Sequence, residues 1–255
     1  GNLATCLQTL ARHAEAEELH RDVLARRARL LGAEHADTLL SCNNLATCLR
    51  GQGKFDEAER LLAECLAIRQ RRLGDEHPDT LLSMNNLAQL LGALGRSAEA
   101  RRLLERCLKL GTPGLGAEHP LMLFATFNLA VALWELGERE AALELDQVCL
   151  EARRRTLGPD HPDTLMSLSN LAFKRFHSGR PDLAEPLWRA AYEGYRRCFG
   201  EEHPDTLEAL GGVSTARFVR GHPEEAEALL RRSLPALRRI LGDGHEQVLR
   251  TENAL

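Results

Sequence analysis

The 255-residue chain has few aromatic residues, 4% in all, with two Trp, two Tyr and seven Phe. It has no strong charge of either sign: the formal net charge is −4. That balance gives no electrostatic footprint for nucleic acid or an anionic membrane. No apolar run approaches the roughly 20 residues that span a bilayer, and no signal peptide is visible. A phosphate loop is also missing, because Gly51-Gln52-Gly53-Lys54 lacks a preceding strand and the required Gly-x4-Gly-Lys spacing. No nucleophile elbow is found, and His13 and His20, seven apart, do not make the i, i+4 pair of a zinc-binding helix. Nothing supports catalysis, a cofactor or a metal. An odd count of seven cysteines with no disulfide framework points to a reducing compartment, so a cytoplasmic location is expected.

What is present is helix-forming chemistry, with Ala, Leu, Arg and Glu in the majority. It is arranged in a repeat. Histidines stand at 35, 77, 119, 161, 203 and 245, and glycines at 32, 74, 116, 158, 200 and 242, each 42 residues beyond the last. A second glycine set (53, 95, 137, 179, 221), alanines (16, 58, 100, 142, 184, 226) and asparagines (2, 44, 86, 128, 170) keep the same register without a gap. Cys65, Cys107 and Cys149 follow it, as do Cys6 and Cys48. Equivalent positions of stacked units lie about 10 Å apart, beyond the ~7 Å Cα limit of a disulfide, so these cysteines read as small buried hydrophobes.

Each unit reads as two helices. The first opens at His-Pro-Asp-Thr, as in His77-Pro78-Asp79-Thr80, with proline at the first helical position and Asp complementing the helix dipole. The histidine then falls at or near the N-cap. Leu81, Met84, Leu87, Ala88 and Leu91 recur at helical spacing and Gly95 ends the helix. A second helix starts near Ser97 and carries Ala100, Leu103, Leu104, Cys107 and Leu108. Arginines cluster in its last turn in sister units (Arg69, Arg71, Arg72; Arg153, Arg154, Arg155), where they read as a solvated face. No strand signal appears. The pattern predicts an all-α solenoid of antiparallel helix pairs: a partial repeat at 1–34, repeats at 35–76, 77–118, 119–160, 161–202 and 203–244, and the start of another at 245–255.

The run Asn43 to Leu66, with Ala46, Gly53 and Ala58, resembles the tetratricopeptide repeat. The 42-residue period and the Leu-Gly-x-x-His-Pro-Asp-Thr-Leu lead-in resemble the extended repeats of kinesin light chains. The resemblance implies a right-handed superhelix of helix pairs whose first helices line a concave surface. It further implies a scaffold or adaptor that binds a protein or peptide segment, with no nucleic acid and no membrane as partners. A regulatory arm beside an NTPase or effector domain, and a self-associating array, are the alternatives. The array opens and closes inside a first helix, so Leu3, Leu7, Val248 and Leu249 are expected on uncovered faces of an excerpt from a longer protein.

On the implied concave face the ladder Asn44, Asn86, Asn128 and Asn170 is the leading candidate site. An amide both donates and accepts, which matches an extended peptide backbone; the other reading is hydrogen bonding between neighbouring helices. Neighbouring candidates are Arg50, Gln89, Trp134, Phe173 and Phe176, with Phe124, Phe127 and Phe218 extending the aromatic trend. Phe176 and Phe218 read equally as core replacements, since Arg175 and Arg217 occupy leucine positions. Four departures from the repeat predict irregularity. Gly111-Thr112-Pro113-Gly114 is expected to shorten a second helix by about a turn, Pro235 to kink another, and Pro186 and Gly211-Gly212 to loosen the C-terminal third.

Overall fold

The computed structural model describes residues 13–244 and 246–253, and every regular element among them is an α-helix. In chain order these are α1 (His13–Leu31), α2 (Ala36–Gly51), α3 (Phe55–Leu73), α4 (Pro78–Ala93), α5 (Ser97–Leu115) and α6 (Pro120–Glu135). Then follow α7 (Arg139–Thr156), α8 (Pro162–His177), α9 (Pro181–Phe199), α10 (Pro204–Val219), α11 (Pro223–Leu241) and α12 (Glu246–Asn253). The first helices α2, α4, α6, α8 and α10 are each 16 residues long, and the second helices α3, α5, α9 and α11 are each 19. Equal lengths follow from equal punctuation. Glycines with positive φ recur every 21 residues from Gly32 to Gly242, one after each of α1 to α11. Gly74, at φ +88°, lets its N–H reach the Gln70 carbonyl, a conformation that a Cβ disfavours.

The first helices α2, α4, α6, α8 and α10 are each capped by histidine. Nδ1 of His35, His77, His119, His161 and His203 accepts the backbone N–H two residues on, at 3.1–3.3 Å. This satisfies one of the donors left open in a first turn, a role usually taken by Ser, Thr, Asp or Asn. Each of these nitrogens is therefore an acceptor, with the ring proton on Nε2. His245 and the residues before 13, among them Asn2, Leu3, Cys6 and Leu7, lie outside the described residues.

The chain divides into two compact units, 1–138 and 139–255, with the boundary between α6 and α7. In the first unit Leu45, Ala46, Leu49, Ala58, Leu62 and Leu90 form a core cluster, joined at its edge by Leu24, Phe55 and Leu87. In the second, Leu150, Leu165, Leu168, Leu171, Ala191, Tyr195 and Ala209 pack together. Trp188 there gathers Ala172, Ala184, Val213 and Ala216. Alanines at the crossings let the helices approach closely, and larger side chains fill the space between.

Several expectations are corrected. The Gly111–Gly114 segment does not break its helix: α5 runs through to Leu115 and keeps 19 residues. Gly111 is buried and packed so tightly that a Cβ there would lie 2.7 Å from the Met122 side chain. Close packing outweighs the poor intrinsic propensity. Pro235 and Pro186 stand inside α11 and α9, as their places in the second helices predict, and those helices run on to Leu241 and Phe199. Pro113, Pro186 and Pro235 are all exposed, on the side where a freed carbonyl can be hydrated. Gly211 and Gly212 lie within unbroken α10, and Trp188 occupies the space that a side chain on Gly212 would need. Val248 is not uncovered: it is buried against Leu207 and Leu237, whereas Leu249 remains exposed. Arg69 and Arg153 are not on a solvated face; they are 3% and 2% exposed.

Candidate functional site

In the first unit three predicted residues come together. Arg50, Asn86 and Gln89, with Thr47, Ala46, Leu62 and Leu90, line one small open pocket between α2, α3 and α4. Asn86 and Gln89 lie one turn apart on α4 and so share a face; Arg50 reaches in from the last turn of α2. Leu62 and Leu90 are core residues and make the floor apolar. Ala46, Leu62 and Leu90 were not singled out from sequence as binding residues; Thr47 stands at the groove position that is the repeat equivalent of Gln89.

The arginines of this unit divide by partner, Arg27 and Arg69 donating to a serine hydroxyl and a backbone carbonyl. Arg21, Arg71, Arg72, Arg96, Arg101 and Arg106 each contact a carboxylate of Glu or Asp. Half-buried Arg50 has no such partner among the described residues. Burial alone pulls its pKa down from the usual guanidinium range. A partly desolvated cation with no counter-charge attracts an anionic group. Beside it, the Asn86 amide has no hydrogen-bond partner among the described residues, and the same holds for half-buried Asn44.

The ladder is not uniform. Asn128, which is buried, donates through Nδ2 to Asn85 Oδ1 at 3.0 Å, linking α6 to α4. In the second unit Asn170 donates through Nδ2 to Asp146 Oδ1 at 3.0 Å. Asp146 Oδ2 lies 2.7 Å from Lys174 Nζ, and both side chains are 2% exposed. Burial pushes the Asp146 carboxyl up against the opposing pull of Lys174. Two of the four ladder amides thus serve the protein's interior, and two keep their donors free.

The aromatic candidates also divide. Phe176 turns inward, its ring 5.6 Å from that of Trp188, as a core replacement would. Phe173 stays 45% exposed and lies against the His177 ring at 4.0 Å. Phe218 is 62% exposed. Trp134, Phe124 and Phe127 are half-buried in α6. Arg217, standing at a leucine position, pairs at 2.7 Å with buried Glu185 and at 2.7 Å with Glu225. Glu185 also meets Arg189 at 3.0 Å and contacts Arg220. Among the described residues no group of three or more His, Cys, Asp and Glu is placed to hold a metal, and no helix is long and apolar enough to cross a membrane.

Family profiles described as tetratricopeptide repeat match residues 1–71, 39–112 and 168–239, and a second profile of the same description matches 128–163. No curated protein matches the chain. Among solved structures, a Podosopora anserina protein of kinesin light chain type with nearly identical TPR-like repeats is 29% identical. The alignment covers 81% of this chain and 98% of that one, with a TM-score of 0.67. BtubC (BKLC) from P. vanneervenii aligns over 94% of this chain and 92% of its own at 21% identity and a TM-score of 0.71, a likeness of fold. A Rap protein complexed with competence and sporulation factor shares the fold at 12% identity, covering 98% of this chain and 83% of its own, with a TM-score of 0.65.

Proposed function

The chain belongs to the tetratricopeptide repeat family, and from that premise we propose that it is a protein-interaction module that holds an extended segment of a partner against its first helices. In the first unit the segment bears a carboxylate that pairs with Arg50, while Asn86 and Gln89 hydrogen-bond its backbone. The observation that carries this reading is the half-buried Arg50, without a carboxylate partner among the described residues, in one pocket with Asn86 and Gln89. A charge-assisted hydrogen bond to a carboxylate contributes about 1.5–3 kcal/mol, on the order of a tenfold to hundredfold gain in affinity. The amides supply contacts that do not depend on the segment's sequence. In the second unit, exposed Phe173 offers an apolar anchor. The complex of a Rap protein with competence and sporulation factor supports the idea that an array of this architecture can present a ligand surface.

The test is selection of binders from a random peptide library on the purified chain. Enriched peptides should carry Asp, Glu or a free C-terminal carboxylate, and Arg50→Ala should weaken them about tenfold or more. Selection of peptides without acidic groups, or binding indifferent to Arg50→Ala, contradicts the reading.

A further inference from the structure

The hairpin of α2 and α3 holds two cysteines in contact. Cys42 stands on α2 and is half-buried; Cys65 stands on α3 and is 1% exposed. The two thiols stand close enough for each to shift the ionisation of the other. Independently, Cys65 Sγ points at the Leu39 carbonyl, 3.9 Å away and one turn before Cys42 on the same helix. The next hairpin repeats this placement, with Cys107 Sγ 3.5 Å from the Leu81 carbonyl, but there Met84 occupies the position of Cys42. Among the described hairpins only that of α2 and α3 sets cysteine against cysteine.

The two sulfurs are not equivalent. The neighbouring Cys65 thiol and the Arg69 guanidinium favour the thiolate of Cys42, so its pKa falls. That of Cys65 rises, through the same contact and through burial. The more exposed sulfur is thus also the better nucleophile. Cysteines at equivalent places in neighbouring repeats are too far apart to bond, whereas this pair lies within one repeat, 23 residues apart in sequence.

We propose that Cys42 and Cys65 form an oxidative modification site, closing to a reversible disulfide that ties α2 to α3 when a hydroperoxide is present. The Cys42 thiolate attacks the peroxide oxygen; the O–O bond breaks, water leaves after protonation, and Cys42 becomes a sulfenic acid. The Cys65 sulfur then displaces the sulfenic hydroxyl, releasing a second water as the S–S bond forms. Two thiols are oxidised by two electrons and one hydrogen peroxide is reduced to two waters. The disulfide would close a loop in the helix pair that also carries Asn44 and Arg50, without depending on any partner for those residues.

The experiment treats the whole folded chain with hydrogen peroxide, blocks remaining thiols with an alkylating reagent after unfolding, and maps the cysteines by mass spectrometry. The expected result is a loss of two hydrogens, a cross-link joining the segments around Cys42 and Cys65, and full reversal by dithiothreitol. Cys42→Ser, at the half-buried position, should abolish the cross-link while leaving the helical circular dichroism unchanged. A Cys65→Ser variant should accumulate the sulfenic acid at Cys42, trapped by a dimedone probe. If Cys42 and Cys65 are both alkylated after peroxide treatment while exposed Cys198 is oxidised, the proposal is overturned. A cross-link that persists in Cys42→Ser overturns it as well.

Discussion

Arg69 donates through Nη1 to Ser83 Oγ at 2.7 Å and to the Asp79 carbonyl at 3.1 Å, fastening the end of one repeat to the first two turns of the next. The same tie recurs as Arg27 with Ser41 and Asp37, and as Arg153 with Ser167 and Asp163, at 2.8–2.9 Å. Where the arginine is replaced by Gly111 or Tyr195, the serine is replaced by Ala125 or Ala209. Donor and acceptor disappear together, so neither is left buried without its partner.

This pairing predicts strong coupling. Arg69→Ala should lower stability by about 2 kcal/mol or more and Ser83→Ala by about 1 kcal/mol, with a double mutant less destabilised than the sum. Chemical denaturation of the four proteins measures it; additive effects would show that the bond contributes nothing.

The histidine caps predict a residue-specific cost. His77→Ala removes an acceptor from the first turn of α4 and should cost about 1 kcal/mol, whereas His77→Asn, which keeps an acceptor, should recover most of it. Thermal unfolding of the two variants distinguishes a cap from a residue that serves only as surface.

Two helical glycines should respond oppositely to alanine. Gly92 has open space around its Cβ position, so Gly92→Ala should stabilise by about 0.5–1 kcal/mol through helix propensity. A Cβ on Gly212 would stand 2.5 Å from the Trp188 ring, a rigid neighbour, so Gly212→Ala should destabilise by about 1–3 kcal/mol. Equal effects would mean that this packing does not form in solution.

Glu185 makes a pH prediction. Burial opposes its ionisation, but the guanidinium groups of Arg189, Arg220 and Arg217 outweigh burial and hold the carboxyl below its usual range. A carboxylate with a lowered folded-state pKa contributes stability above the unfolded value of about 4.3, and loses it as pH falls through the folded value. The stability gap between wild type and Glu185→Gln should therefore be full near neutrality and shrink in acid. A pH-independent gap contradicts this.

The repeat, the helix pairs and the caps were legible because 42-residue spacing repeats every signal of helix start and stop, from His77 to Gly95. Helix breaks were misjudged where local propensity was weighed alone: nothing near Gly111 or Gly212 in sequence announces the Met122 or Trp188 side chain that packs there. The Asp146–Lys174 pair was missed although it left a trace. These residues stand where Leu62 and Leu90 stand two repeats earlier, so both members of a core contact change to opposite charges together. The site was half legible. Arg50, Asn86 and Gln89 stand out by position and share one pocket, whereas nothing in the sequence marks Asn128 and Asn170 as bonding inward.

The most direct measurement is the affinity of a library-selected acidic peptide for Asn86→Ala and Asn128→Ala, read by fluorescence anisotropy beside thermal unfolding. Asn86→Ala should weaken binding several-fold, as loss of about 1 kcal/mol implies, with no change in melting temperature. Asn128→Ala, which breaks the bond to Asn85, should lower the melting temperature. Unchanged affinity in Asn86→Ala would contradict a partner held on this face.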